Sequence, residues 1–121
     1  MSELDPGVIK LLDDIYTSAK RIVKRLQGET LESFTSDGGM DAQDVAARRL
    51  TVIGEAAAAL LKKHPGFCEK HPEIPLNLAR RMRNFIVHEY DGIVWEAIWD
   101  TTQNQVPHLI AAIESFLSTK P

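Results

Sequence analysis

Apolar side chains return every three or four residues through almost the whole of this chain, and no stretch shows strand-like alternation. Val8, Leu11, Leu12, Ile15, Ala19, Ile22, Val23 and Leu26 form the first such series. That spacing follows the 3.6-residue turn of an α-helix and not the two-residue repeat of a strand. A chain built this way can fold only by burying helical stripes against one another. Asp5 ahead of Pro6 predicts the start of the first helix: an N-cap, then a proline whose missing N–H costs nothing in the first turn. Gly28 predicts its end.

The punctuation continues in the same style. Residues 29–40 read as a short turn or helical turn closing on Asp37-Gly38-Gly39. Asp41 is expected to cap a second long helix, with Asp44 at the capping-box position and Met40 and Val45 placed as a hydrophobic staple. Val45, Ile53, Ala56, Ala57, Leu60 and Leu61 supply its apolar face, while Gly54 and the alanines permit another helix to approach closely. Lys62, Lys63 and His64 precede Pro65-Gly66, a stop, and residues 65–75 read as a connector. A third helix should run from about Pro75 to Tyr90, with a turn at Asp91-Gly92. The last carries Trp95, Ile98, Trp99, Thr102, Val106, Ile110, Ile113 and Leu117 on one side, and Pro107 should kink or divide it. The expectation is an all-α chain, an antiparallel bundle of four main helices plus a short one, with residues 1–121 as a single domain.

Charge and cysteine content narrow the function. A net charge of −3 argues against a surface coated for nucleic acid, so any such site must be local. One cysteine, Cys68, allows no intrachain disulfide and suits a reducing cytosol. It has no histidine or cysteine at zinc-ligand spacing, and neither a metal nor a cofactor is expected. The N-terminus lacks the basic-then-apolar pattern of a signal peptide, and the longest apolar run, Ala56–Leu61, is far too short for a membrane span. These readings place the chain in the cytoplasm. His64, His71 and His108 look like isolated polar positions.

Local charge gathers in RRMRNFIVHEY, Arg80–Tyr90. On a helix, Leu78, Ala79, Met82, Phe85 and Ile86 make a buried stripe, while Arg80, Asn84 and His88, four apart, share the opposite face. Arg83 and Tyr90, seven apart, stack along one border of the stripe. Arg83 and His88 stand about 140° apart. They can meet on one ligand if Arg83 bends round or the helix end distorts; alternatively, a second subunit completes the site. The residue types suit metal-free RNA cleavage. A histidine near its neutral pKa can take the proton of a ribose 2′-hydroxyl, and an arginine fork can hold the phosphate as charge builds on it. Asn84 could orient the imidazole or donate to the phosphate. Arg48 and Glu55, seven apart on the second helix, could pair with each other or with the motif helix. Arg49 points into the apolar sector, and either snorkels to its edge or lines the site beside His88.

The segment resembles the signature of the HEPN ribonucleases and, more narrowly, the Arg-x4-His-x-Tyr motif of HepT-like toxins. The likeness extends to RRLTVIGEAAAAL, beginning at Arg48, where Arg48, Ile53, Gly54, Glu55 and Ala56 match the family's second-helix pattern. It continues through HPEIPLNLARRMRNFIVHEYDGI (71–93) and VWEAIWDTTQNQVPHLIAAIESFL (94–117), so that about Pro6 to Leu117 is covered. The chain departs from the family at Arg49, where asparagine is usual, at Leu76, where tryptophan is common, and in the added charge of Arg80-Arg81.

The resemblance implies a HEPN-like bundle and a metal-independent endoribonuclease toxin of a type VII-like toxin–antitoxin pair. His88 would be general base or acid, Arg83 the phosphate clamp and Asn84 a supporting polar group, with Arg48, Arg49, Glu55 and Arg80 around them. Tyr90 would be the tyrosine that accepts AMP from a minimal nucleotidyltransferase antitoxin of the MntA type. Two copies would share one RNA cleft as a homodimer. A reading from another class competes: a non-catalytic helical subunit that docks a nucleotidyltransferase and holds its substrate. The Arg83/His88 pair favours the enzyme, because a scaffold needs neither.

Overall fold

The structure, a computed structural model, describes residues 5–87 and 94–118, the side chains of residues 85–87 excepted. Every regular element among them is helical. The first, α1 (Pro6–Leu26), starts as its sequence dictates: the Asp5 carboxylate accepts from the Gly7 N–H at 2.7 Å, and Pro6 takes the first position. It ends just before Gly28, whose φ of 85° is a left-handed conformation that a side chain would disfavour. Val8, Leu12, Ile15, Ala19, Ile22 and Leu26 are buried along one stripe.

A short helix α2 (Leu31–Thr35) and a 3₁₀ turn (Asp37–Gly39) lead into the long α3 (Met40–Lys63). The start of α3 differs from expectation. Gly39, not Asp41, is the N-cap, and no side chain caps it; Asp41 lies inside the first turn, and Met40 is 63% exposed, so it staples nothing. The reason is local crowding. A Cβ at Gly39 would run into the Ser33 and Phe34 carbonyls, so the chain turns there on a residue without one. The capping box lies one element earlier. Ser33 N–H donates to Thr30 Oγ1 at 3.1 Å, and Thr30 N–H donates to Ser33 Oγ at 2.8 Å. Gln43 ties α3 back by donating to the Phe34 carbonyl at 2.7 Å.

Helix α3 is the centre of the bundle, packed against α1 on one side and α5 (Leu76–Val87) on another. Its buried residues are therefore more numerous than one stripe predicts: Ala42, Ala46, Leu50, Ile53, Gly54, Ala56, Ala57 and Leu60, with Val45 and Leu61 only half-buried. Between α3 and α5 the expected connector contains a further helix, α4 (Pro65–Lys70). Pro65-Gly66 does end α3, but Pro65 then serves as the first residue of α4. His71, just beyond, is no isolated polar position: its ring packs 4.8 Å from Phe67 and 4.7 Å from Phe116, and its Nδ1 lies 3.0 Å from the Glu73 carboxylate. Burial pushes the Cys68 thiol pKa up.

The last arm is divided, as Pro107 predicts. Helix α6 (Trp95–Asp100) passes through a π turn (Thr101–Gln105) into α7 (Val106–Ser118), with Pro107 its second residue. The Val106 N–H bonds the Thr101 carbonyl in the wider loop, one residue ahead of a proline that has no N–H to give. The buried line through this arm is Ile98, Thr102, Val106, Leu109, Ile113 and Phe116, rather than one passing through Ile110 and Leu117. Successive steps of four residues drift by about 40° each, so Ile110 rotates off the face while Leu109 stays on it. Phe34 of α2 lies wholly buried against Trp95 and Trp99, with ring centroids at 6.0 and 5.2 Å, and so fastens the short helix to α6. No helix among the described residues is long and apolar enough to cross a membrane.

Candidate nucleic-acid site

Helix α5 shows the face pattern its sequence predicts. Leu76, Ala79 and Met82 are buried, Leu78 is half-buried, and Arg80, Arg81 and Asn84 are exposed. Arg83 is half-buried at the border. The described side chains of this helix stop at Asn84, so the predicted positions of His88 and Tyr90, the stripe residues Phe85 and Ile86, and the turn at Asp91-Gly92 lie outside the described residues.

What fixes Arg83 is Gly54. A Cβ built on Gly54 would lie 2.7 Å from both the Cβ and the backbone nitrogen of Arg83, and 3.1 Å from the Arg80 carbonyl. Helices α3 and α5 thus meet backbone to backbone at the turn carrying Arg80 and Arg83. At this separation there is no room even for a methyl group unless the helices move apart. From this crossing a groove of about 630 Å³ opens between the helices, lined by Glu55, Ala58, Ala59, Leu61, Lys62, Lys63, Arg80 and Arg83. A second hollow of about 520 Å³ lies along α3 between Asp44 and Glu55, with Ala47, Arg48, Thr51 and Val52. Glu55 lines both, standing between Arg48 on one side and Arg80 and Arg83 on the other. Among the described residues no ion pair joins it to any of the three arginines.

Arg49 is elsewhere. It stands about 140° round α3 from Gly54, and its Nη1 donates to Ser18 Oγ of α1 at 3.3 Å. The head group thus lies at the α1–α3 seam, while the reading that sets it beside His88 falls on a residue outside the described ones. Burial, then repulsion from Arg21 and Arg48, pulls its pKa below the usual arginine value. The structure brings together Arg80, Arg83 and Glu55, sets Arg48 in the neighbouring hollow, and leaves Asn84 exposed on α5 outside both. Sequence reasoning missed Lys62 and Lys63, read only as the residues before the stop at Pro65-Gly66. Their signal was present: they follow Glu55 by seven and eight residues, which puts all three on one flank of α3.

An all-helical bundle with a cationic groove at its central crossing is the HEPN-like class of fold. The particular family is equally clear: residues 15–116 match the model of the HepT-like ribonucleases, and the chain belongs to that family. Among curated relatives, a protein of Methanocaldococcus jannaschii, provisionally named as an RNase, is 35% identical over 88% of this chain and 84% of its own. A second provisional RNase, from Caldanaerobacter subterraneus subsp. tengcongensis, is 31% identical over 88% of this chain and 90% of its own. A Thermococcus cleftensis protein named for ribonuclease HepT is 32% identical over 85% of this chain and 89% of its own. No solved structure matches the chain with significance.

Proposed function

We propose that this protein is a metal-independent endoribonuclease, acting in the cytoplasm as the toxin of a type VII-like toxin–antitoxin pair. The observation that carries the reading is Arg83: in a chain of the HepT-like ribonuclease family, its backbone is pinned at the Gly54 crossing while its side chain lines an open groove, with no ion pair among the described residues. His88 removes the proton from a ribose 2′-hydroxyl; the 2′-oxygen attacks the adjacent phosphorus, the bond to the 5′-oxygen breaks, and that oxygen leaves as it takes a proton from water, while the imidazolium later returns its own to solvent. Arg83 holds the non-bridging oxygens as their charge rises, and Asn84 steadies the imidazole or the phosphate. Glu55, Arg48 and Arg80 shape the surrounding field. Products end in a 2′,3′-cyclic phosphate, and EDTA leaves the rate unchanged. Cleavage by the purified protein that depends on added magnesium would sink this mechanism.

Two copies sharing one cleft would bring the motif of each helix towards that of the other, which answers the angle between Arg83 and His88. The expected result is a dimer by light scattering at micromolar concentration, with activity falling on dilution into monomer. A fully active monomer would count against it.

Control falls to Tyr90. A free phenol, whose reference pKa is near 10, is a poor proton shuttle at neutral pH. The Tyr90 oxygen would instead attack the α-phosphorus of ATP held by a nucleotidyltransferase partner, expelling pyrophosphate and leaving AMP on the ring. That places an anionic phosphate near Arg83 and blocks RNA by charge and bulk. Tyr90→Phe should cut RNA nearly as well as wild type yet escape neutralisation by the partner with ATP. Intact-mass spectrometry after co-expression checks the acceptor: AMP-sized increments persisting in Tyr90→Phe would show that another residue is modified.

A further inference from the structure

We propose that the groove between the C-terminal half of α3 and the N-terminal half of α5 binds the sugar–phosphate backbone of the RNA flanking the scissile bond, with Lys62 and Lys63 as its phosphate contacts. This rests on the ribonuclease reading and adds to it residues and a direction. Arg83 and the Arg80 carbonyl lie against Gly54, Lys62 and Lys63 line the same groove further along α3, and Leu61 shares a hollow with Leu76, Asn77 and Leu78 at the start of α5. The two helices therefore run antiparallel, and the cations extend about 12 Å along α3 from the crossing, two helical turns. The strand leaves Arg83 towards the C-terminus of α3.

Four cations face one carboxylate, Glu55, in a chain whose net charge is −3. Glu55 sits at the Arg83 end, so its repulsion falls away along the path to the lysines. Several other basic groups are engaged by the protein itself: Lys10 with Asp14, Arg25 with Glu29, Lys20 over the Tyr16 ring and Arg49 with Ser18. Lys62, Lys63, Arg80 and Arg83 have no ion pair among the described residues. Favourable placement at the end of α3 accounts for two lysines there, but not for two α5 arginines converging on the same hollow. The apolar part of the lining is Ala58, Ala59 and Leu61, whose side chains offer a nucleotide neither charge nor hydrogen bond. Such a track holds backbone and reads no bases, so length and ionic strength, not sequence, govern its contribution.

The test uses a 2′-O-methyl oligouridylate, which lacks the attacking hydroxyl and cannot be cut, with binding followed by fluorescence anisotropy across a potassium chloride series. Lys62→Gln/Lys63→Gln should bind about ten-fold more weakly at low salt, and the slope of log affinity against log salt should flatten by about 1.4, two single-strand phosphate contacts' worth. Lys62→Arg/Lys63→Arg should restore both. A control with the same charge change on α1, Lys20→Gln/Lys24→Gln, should alter the slope far less. An unchanged slope in the groove variant, with circular dichroism showing it folded and wild type still cutting RNA, overturns this inference alone. An equal loss in the α1 control also overturns it, because the whole molecule's charge would then be responsible. A wild type that neither binds the probe nor cuts RNA overturns the ribonuclease reading as well.

Discussion

Replacing Arg83 or His88 by alanine should lower the rate of RNA cleavage by roughly 10²–10⁴-fold while leaving the helical circular dichroism signal in place. Arg83 is half-buried at the edge of the groove and not part of the apolar core of α5, so its guanidinium can be lost without opening a cavity there. The two losses should not multiply in the double variant, because a base without a held phosphate, or a held phosphate without a base, is already close to the floor. Single-turnover cleavage of a labelled RNA is the measurement. A double variant whose loss is the product of the single losses would show that the two side chains act independently. Arg83→Lys should recover only part of the rate, since an ammonium supplies charge but not the planar fork.

The second large effect is expected at a residue that touches no substrate. Gly54→Ala puts a methyl group 2.7 Å from the Arg83 backbone nitrogen and Cβ, so α3 and α5 must move apart. Overpacking of this kind costs about 1–3 kcal/mol. Alanine's better helix propensity offsets roughly 1 kcal/mol of it. Stability should therefore fall modestly, whereas activity should fall far more, because a displacement of about 1 Å in a positioned group can cost on the order of 10²-fold in rate. Gly54→Val should be worse on both counts. Thermal melts and cleavage assays on the same preparations separate the two effects. A Gly54→Ala protein with wild-type melting temperature and wild-type rate would mean that the helices part there at no cost, and that Arg83 is not positioned by the crossing.

Periodicity carries most of the fold because burying a helical stripe is a local requirement that each segment announces for itself. The stop at Gly28, the Asp5–Pro6 start, the small helix before Gly39 and the break at Pro107 are likewise backbone constraints written in single residues. The errors arose where a residue's role depends on what lies across from it. Asp41 is a competent cap in isolation, but the carbonyls of Ser33 and Phe34 crowd Gly39 and move the start of α3. His71 reads as a surface polar residue until Phe67 of α4 and Phe116 of α7 pack against its ring.

The same division runs through the site. The sequence by itself determined the helical class, the family resemblance and the candidate chemistry of Arg83, His88 and Tyr90, because motif spacing and side-chain type need no neighbours to be recognised. Only the tertiary structure decided that Gly54 is the contact that seats Arg83, that Arg49 turns to Ser18 on α1, and that Lys62 and Lys63 share a groove with Arg80. Those facts depend on which flank of α3 each neighbouring helix occupies. A helix sequence specifies the angle between its own side chains, but not which partner lies at that angle.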